Sequence, residues 1–197
     1  MQILTGSVGL LDLQTLAPEQ VQLRDLTAIE WLVRFTGQST RPWTVANHSW
    51  FVADICLRLL QANQPTWSWA LLHDAHEAYI GDTIRPLESE LGVNAQLACW
   101  RAKIDTAIVQ RAGIDRQQID FEAVALADSI ALAAEIVHLF PSTPAVRSLP
   151  AVQKHWPLIQ TLEPPPARKN AWRDAVREFW PAPETAADED RTPVGGV

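Results

Sequence analysis

The sequence predicts an all-α protein with a short extended N-terminal arm. Over most of the chain, apolar residues recur at intervals of three and four, as they do on the buried face of an amphipathic helix. Residues that cap or stop helices, such as Thr44, Gly81 and Gly113, stand at the ends of these periodic segments. The first 18 residues lack the helical period, and Gly6 and Gly9 there favour an extended arm or a short hairpin.

The rest of the chain divides into helices separated by Pro, Gly and Asn. Leu26, Ile29 and Leu32 share one face of the first helix, which should end near Gly37. The helix that follows Arg85 carries no cluster of metal-binding side chains, so we expect it only to pack. The predicted segments are an arm over 1–18, helices over 18–37, 44–60, 66–81, 87–112, 121–140 and 167–179, and a connector over 115–118.

Length and composition limit the class of protein. A chain of 197 residues favours one domain, which we place at 1–180, followed by a polar, Pro-rich and disordered tail at 181–197. The net charge of −7 argues against a nucleic-acid polymer or an anionic membrane as partner. Because the chain has neither a long apolar run nor a basic and then apolar start, we expect a cytoplasmic location. In that compartment Cys56 and Cys99 should be free buried thiols.

The most unusual stretch lies at residues 70–79, where His73, Asp74, His76 and Glu77 stand within an apolar helical run. Successive helix residues point about 100° apart, so His73 and Asp74 cannot share one face of a helix. They must reach one site from its flank or reach different sites. A metal at this position would need ligands from other helices.

Two further residues could supply such ligands. His48 falls on the apolar face shared by Val52 and Cys56, where alone it is more typical of a hydrogen-bonded core histidine. Asp128 stands in the middle of an apolar helix, where a bare carboxylate would cost several kcal/mol and should be neutralised. Together with His73 and Asp74 these residues suit Mn, Fe(II), Co or Mg, although spacing alone leaves the existence of a metal site open.

The order His, His-Asp, Asp resembles the signature of the HD-domain metal-dependent phosphohydrolases. The resemblance extends over residues 5–140 and is closest to the branch that contains bacterial 5′-deoxynucleotidases and phage or prophage nucleotide hydrolases. It implies an HD-domain helical bundle. The segments that carry it are Arg34-Phe35-Thr36-Gly37, Thr44-Val45-Ala46-Asn47-His48-Ser49, Ala70-Leu71-Leu72-His73-Asp74-Ala75-His76-Glu77-Ala78-Tyr79-Ile80-Gly81-Asp82 and Ala127-Asp128.

The resemblance also implies a role for each matching residue. One divalent ion (Mn, Co, Fe(II), Mg or Zn) would be held by four ligands. Glu77 would position or deprotonate the attacking water, and Asp82 would bind the sugar or a neighbouring side chain. Arg34 and Arg41 would contact the phosphate, while His76 is expected to support the site or to pack. The four implied metal ligands are His48, His73, Asp74 and Asp128.

The implied activity is hydrolysis of a deoxynucleoside monophosphate. We favour it over triphosphate release because the chain near the site offers chiefly Arg34, Arg41 and Arg85, too few cations for a triphosphate. Triphosphate release from a dNTP, another phosphorylated small molecule as substrate, and a non-catalytic metal-binding scaffold remain alternatives. Trp100 and Trp172, expected to be exposed, suggest a homo-oligomer, a dimer or larger.

Overall fold

The predicted N-terminal arm is a β-hairpin. A computed structural model describes residues 1–182, and the predicted tail beyond residue 182 lies outside them. Strands β1 (Gln2–Thr5) and β2 (Gly9–Asp12) pair antiparallel, with Ile3 opposite Leu11. Leu11 and Leu13 are buried and attach the hairpin to the helical core.

The remaining regular structure of residues 1–182 is helical, which confirms the all-α prediction. The α-helices are α1 (Leu23–Leu26), α2 (Val45–Arg58), α3 (Gln64–Leu72), α4 (Glu77–Ile80), α5 (Arg85–Leu91), α6 (Asn94–Arg111), α7 (Phe121–Leu139), α8 (Pro144–Arg147), α9 (Pro150–Lys154), α10 (Trp156–Ile159) and α11 (Ala171–Arg177). Short 3₁₀ turns cover Pro18–Gln20, Thr27–Glu30, Arg34–Gly37 and Arg116–Gln118.

Three long helices form the centre of the molecule, because α2 packs against both α3 and α7. Each begins at a side-chain cap: Thr44 accepts from the Asn47 amide, Asn63 from the Thr66 amide and Asp120 from the Ala123 amide. These caps fix where each helix starts. The starts in turn set which residues of α2 and α7 face each other.

The predicted helix over 18–37 is wrong. The structure has consecutive short turns there, and Val33 forms an antiparallel bridge with Thr44. Phe35 and Thr36 have φ values of 56° and 51°, which lie in the left-handed region and cannot continue a right-handed helix. The apolar spacing resembles that of one helix because Leu26 and Ile29 are both buried, but they lie in two successive short turns.

Two other helices differ from their predicted bounds. The predicted 87–112 helix is interrupted at Gly92, whose φ of 66° ends α5 before α6 begins. The last helix starts only at Ala171, after Asn170 in a left-handed conformation. Helices α8 to α10 were not predicted, because each of them is five residues or shorter and shows little periodicity.

Trp172 is buried, contrary to the prediction that it is exposed. Its indole Nε1–H donates to the Leu71 carbonyl at 2.6 Å and so joins α11 to α3. Cys56 is buried, and burial raises the pKa of its thiol to about 12, whereas Cys99 is exposed, so the buried-thiol prediction is wrong for Cys99. None of the helices in residues 1–182 combines the length and apolar character needed to cross a bilayer.

Candidate metal centre

Three segments bring His48, His73, Asp74 and Asp128 to one place. His48 Nε2 lies 3.0 Å from Asp128 Oδ1 and 3.6 Å from Asp74 Oδ2. His73 Nε2 lies 3.3 Å from the same Asp74 oxygen, and the two imidazole centroids are 5.4 Å apart. His48, His73 and Asp74 form a group that could hold a metal ion.

Neighbouring residues His73 and Asp74 both reach this site just after α3 ends at Leu72. Residues 73–76 form a turn, and α4 starts at Glu77, so the predicted uninterrupted helix over 66–81 is wrong here. Because His73 keeps right-handed dihedrals (φ −59°, ψ −31°), the two side chains leave the backbone in different directions and meet at the Asp74 carboxylate.

Each imidazole has its Nδ1 atom occupied. His73 Nδ1–H donates to the Ala70 carbonyl at 2.8 Å, and His48 Nδ1–H donates to Glu135 Oε1 at 2.7 Å. Within the described residues, neither Nε2 atom has a hydrogen-bond partner in good geometry, although both are buried. Two orphaned nitrogens thus face carboxylate oxygens, which is the donor set that a divalent cation takes. The residues present fit such an ion.

The ionisation of these groups follows from their proximity. Burial acts to raise the pKa of Asp128, but the neighbouring His48 outweighs it and holds that pKa at about 2. Burial likewise opposes ionisation of Asp74, yet His73 and His48 hold its pKa well below the usual range. Burial acts to lower the pKa of His73, but Asp74 raises it to about 9. The carboxylates are therefore charged, and the same contacts favour the protonated form of His73.

This arrangement predicts how the stability of the metal-free protein depends on pH. The pKa of His73 is about 9 in the folded protein against 6.5 when unfolded, so the folded state binds more protons between these values. The free energy of unfolding should fall as pH rises from 6.5 to about 9, by up to about 3 kcal/mol from this residue. Chemical denaturation of chelator-treated protein across this range measures it.

The His73→Asn variant should show a shallower fall over the same range. His138→Gln is the matched control, because His138 Nε2–H donates to the Ile159 carbonyl outside the cluster. A stability that rises between pH 6.5 and 9 in wild type would contradict the assigned contacts.

Arg34 lies beside the cluster. Its Nη1 is 3.5 Å from Asp74 Oδ2 and its Nε is 3.5 Å from Glu135 Oε2. The following residues, Phe35 and Thr36, are left-handed, which costs about 1–3 kcal/mol each and is typical of functional sites. A guanidinium that is only 12% exposed and lies next to groups that could hold a metal ion is suited to binding an anion.

Glu77 and Asp82 stand near the same cluster. Glu77 is only 7% exposed and its Oε2 has no hydrogen-bond partner within residues 1–182. Burial, together with Asp74 and Asp82, raises the pKa of Glu77 to about 9. Burial and the Asp74 charge also raise the pKa of Asp82. Gly81, with φ of 79°, ends α4 and directs the chain to Asp82.

His76 contacts α6. Its Nδ1 lies 2.9 Å from Asp105 Oδ1 on α6. The helix after Arg85 was expected only to pack, and at Asp105 that prediction is wrong. That His76 supports the site or packs stays a prediction. His76 also forms a second possible metal-binding group with Asp74 and Glu77.

Arg41 makes its contacts elsewhere. Its Nη2 donates to the carbonyls of Pro164 and Pro165, both at 3.1 Å, and its guanidinium stacks over Trp43. These contacts tie the loop before α2 to the C-terminal segment. A role of Arg41 in phosphate binding stays a prediction.

A cavity of about 500 Å³ lies apart from the candidate metal centre. Trp31, Asn47, Trp50 and Trp172 are among its lining residues, whereas none of the four clustered side chains is. The cavity therefore does not identify the metal site. The candidate metal centre is indicated instead by the short distances between its imidazoles and carboxylates.

Glu135 is the residue that the sequence reasoning missed. It is completely buried on α7, seven residues after Asp128, and so lies almost two turns further along nearly the same face. A lone Glu in the apolar run Ala133-Ala134-Glu135-Ile136-Val137 is as costly as Asp128 and equally demands a partner. The burial cost that marks Asp128 in the sequence marks Glu135 in the same way.

The fold and the cluster define a helical protein with a His, Asp and Glu site that could hold a metal ion. No family model matches the chain. The chain is 33% identical over 86 residues to a Rhodobacter capsulatus protein described as uncharacterized, a match that covers 42% of this chain. The match covers 44% of the Rhodobacter capsulatus protein, less than half of its length.

Proposed function

We propose that the protein is a divalent-metal-dependent phosphohydrolase of the HD-domain type that releases phosphate from deoxynucleoside monophosphates. One observation carries this proposal: the orphaned Nε2 atoms of His48 and His73 face Asp74, whose carboxylate also faces Arg34. A site for a cation therefore adjoins a site for an anion, as hydrolysis of a phosphate ester requires. The resemblance to HD-domain phosphohydrolases supports the same reading.

His48, His73, Asp74 and Asp128 would hold the ion. When bound, a divalent cation supplies positive charge that offsets phosphate repulsion and makes water more acidic. The protein supplies the rest of the chemistry. The Arg34 guanidinium presents donors to phosphate oxygens and fixes their orientation, and these bonds strengthen as negative charge develops.

Glu77 would orient the attacking water and accept its proton. Its Oε2 is buried and unpartnered close to Asp74, within reach of the same site. Asp82, one residue after the sharp turn at Gly81, would accept a hydrogen bond from a sugar hydroxyl. Burial of these groups limits competing water in the site.

The number of available cations favours a monophosphate. Arg41 donates to two proline carbonyls, and Arg101 donates to Glu88 at 3.1 Å, so of these three arginines it is Arg34 that contacts the cluster. A triphosphate carries more charge than one arginine and one divalent ion would neutralise. Association into a homo-oligomer and a cytoplasmic location stay predictions.

The experiment is a substrate panel. Metal-stripped protein receives Mn, Co or Mg, and release of orthophosphate or triphosphate is measured with dNMPs, NMPs and dNTPs. We expect orthophosphate from dNMPs, and only when metal is present. His73→Asn should be inactive, whereas His138→Gln, which changes a histidine outside the site, should match wild type.

Other outcomes would replace the proposal. Triphosphate as product would identify a dNTP triphosphohydrolase with the same metal site. Release of phosphate from another phosphorylated small molecule alone would change the substrate class. Tight metal binding with no turnover of any substrate would favour a metal-stabilised helical scaffold.

A further inference from the structure

One buried carboxylate contacts both halves of the site. Glu135 Oε1 accepts from His48 Nδ1–H at 2.7 Å, while Glu135 Oε2 lies 3.5 Å from Arg34 Nε. Glu135 is completely buried, and a buried carboxylate needs such partners. Glu135 and Arg34 lie far apart in sequence, on α7 and on the turn before α2.

The His48 imidazole is held from both ends by α7. Asp128 faces its Nε2 and Glu135 accepts from its Nδ1, and these two carboxylates lie seven residues apart, about 10.5 Å along the helix. Because the Glu135 carboxylate only accepts, it keeps a proton on Nδ1, and the lone pair of a neutral His48 that binds a cation would then lie on Nε2. Glu135 thus selects the tautomer that can bind a cation.

The backbone of Arg34 is fixed by a hydrogen bond from its N–H to the Trp43 carbonyl at 2.8 Å, but its side chain needs an anchor of its own. The next three residues, Phe35, Thr36 and Gly37, all have positive φ values. The guanidinium lies between Asp74 and Glu135, and a cation at the centre would compete with it for Asp74. Glu135 would still hold the Nε edge, leaving the other guanidinium nitrogens for an anion.

We propose that Glu135 is a positioning residue: it sets the His48 tautomer, and it holds the Arg34 guanidinium beside the metal ligands. The part that concerns anion binding by Arg34 rests on the proposed function. The part that concerns His48 depends only on the metal centre. Carboxylates that hold metal-binding histidines typically change metal affinity about 10–100-fold when replaced.

The test compares two variants of Glu135. Glu135→Met has similar length but no acceptor, so the Mn²⁺ affinity of metal-stripped protein should fall about 10–100-fold. Glu135→Gln keeps an oxygen that accepts from His48 Nδ1–H and should recover most of this affinity. A neutral amide cannot hold the Arg34 guanidinium by an ion pair. Inorganic phosphate should therefore still bind more weakly to the Mn²⁺-saturated Gln variant than to wild type. Calorimetry measures both affinities without turnover.

A double-mutant cycle tests the link to Arg34. If Glu135 acts on phosphate through Arg34, the Arg34→Gln, Glu135→Gln double variant should bind phosphate no more weakly than Arg34→Gln alone. Glu30→Gln is the matched control, since Glu30 pairs with Arg173 outside the cluster and should leave both affinities unchanged.

Two results would overturn the proposal. They are wild-type Mn²⁺ affinity in folded Glu135→Met and wild-type phosphate affinity in Glu135→Gln. If Glu135→Met does not fold, the phosphate measurement on Glu135→Gln still decides. If the Mn²⁺ and phosphate affinities of the Glu135 variants change as expected but no nucleotide is hydrolysed, the proposed function fails while the role of Glu135 stands.

Discussion

Replacing Asp74 with asparagine is expected to abolish metal binding and, with it, release of phosphate. Asp74 Oδ2 is the common point of the cluster, 3.3 Å from His73 Nε2, 3.6 Å from His48 Nε2 and 3.5 Å from Arg34 Nη1. Asparagine preserves the shape but removes the charge and one acceptor oxygen. Mn²⁺ affinity should fall more than about 100-fold, beyond the range typical of residues that only support a ligand.

A second readout does not depend on the metal. Asp74 is the main cause that raises the pKa of His73 to about 9, so this pKa should fall in Asp74→Asn. An NMR titration of the imidazole in metal-free protein measures the change. Asp54→Asn, which removes the partner of Arg58 on the surface of α2, is the control and should change neither value. Wild-type Mn²⁺ affinity in Asp74→Asn would remove Asp74 from the ligand set.

The sequence was sufficient for the parts of the fold that are set by local chemistry. Thr44 caps its helix as its residue type predicts, and Gly81 and Gly113 both have the positive φ of a helix stop. The segment over 18–37 failed because its apolar spacing is produced by tertiary packing of separate turns. A bridge such as Val33 with Thr44 depends on a distant residue and leaves no local period.

The site shows the same division. His48 and Asp128 stood out because a buried polar group in an apolar helix needs a partner, and the structure makes them partners. Asp105 gave no such signal, since a single Asp in a half-exposed helix is ordinary until His76 is seen beside it. Pairings between helices follow from packing, which the sequence of either helix alone does not contain.

Replacing Glu77 with glutamine should separate metal binding from catalysis. Glutamine fills the same space but cannot accept a proton from water, and loss of a general base typically costs about 10²–10⁴-fold in rate. We expect kcat for a dNMP to fall by about 10²–10⁴-fold while Mn²⁺ affinity stays close to wild type. Steady-state kinetics at saturating Mn²⁺, with Mn²⁺ titration in parallel, measure both.

The pH profile sharpens this prediction. Burial, Asp74 and Asp82 raise the pKa of Glu77 to about 9 in the metal-free protein, and a cation bound at Asp74 would lower it. Because the ionised form accepts the proton, the wild-type rate should rise with pH through the Glu77 pKa of the loaded protein. This limb should be missing in Glu77→Gln and present in Glu30→Gln.

The combination of results separates the possible roles of Glu77. A large loss of kcat with unchanged Mn²⁺ affinity and no acidic limb requires a proton acceptor, because a residue needed only for packing would alter neither pH dependence nor kcat so selectively. A parallel loss of Mn²⁺ affinity would instead make Glu77 a ligand, together with His76 and Asp74. A wild-type rate in Glu77→Gln would exclude it from the chemistry and leave Asp82 as the nearby carboxylate to test.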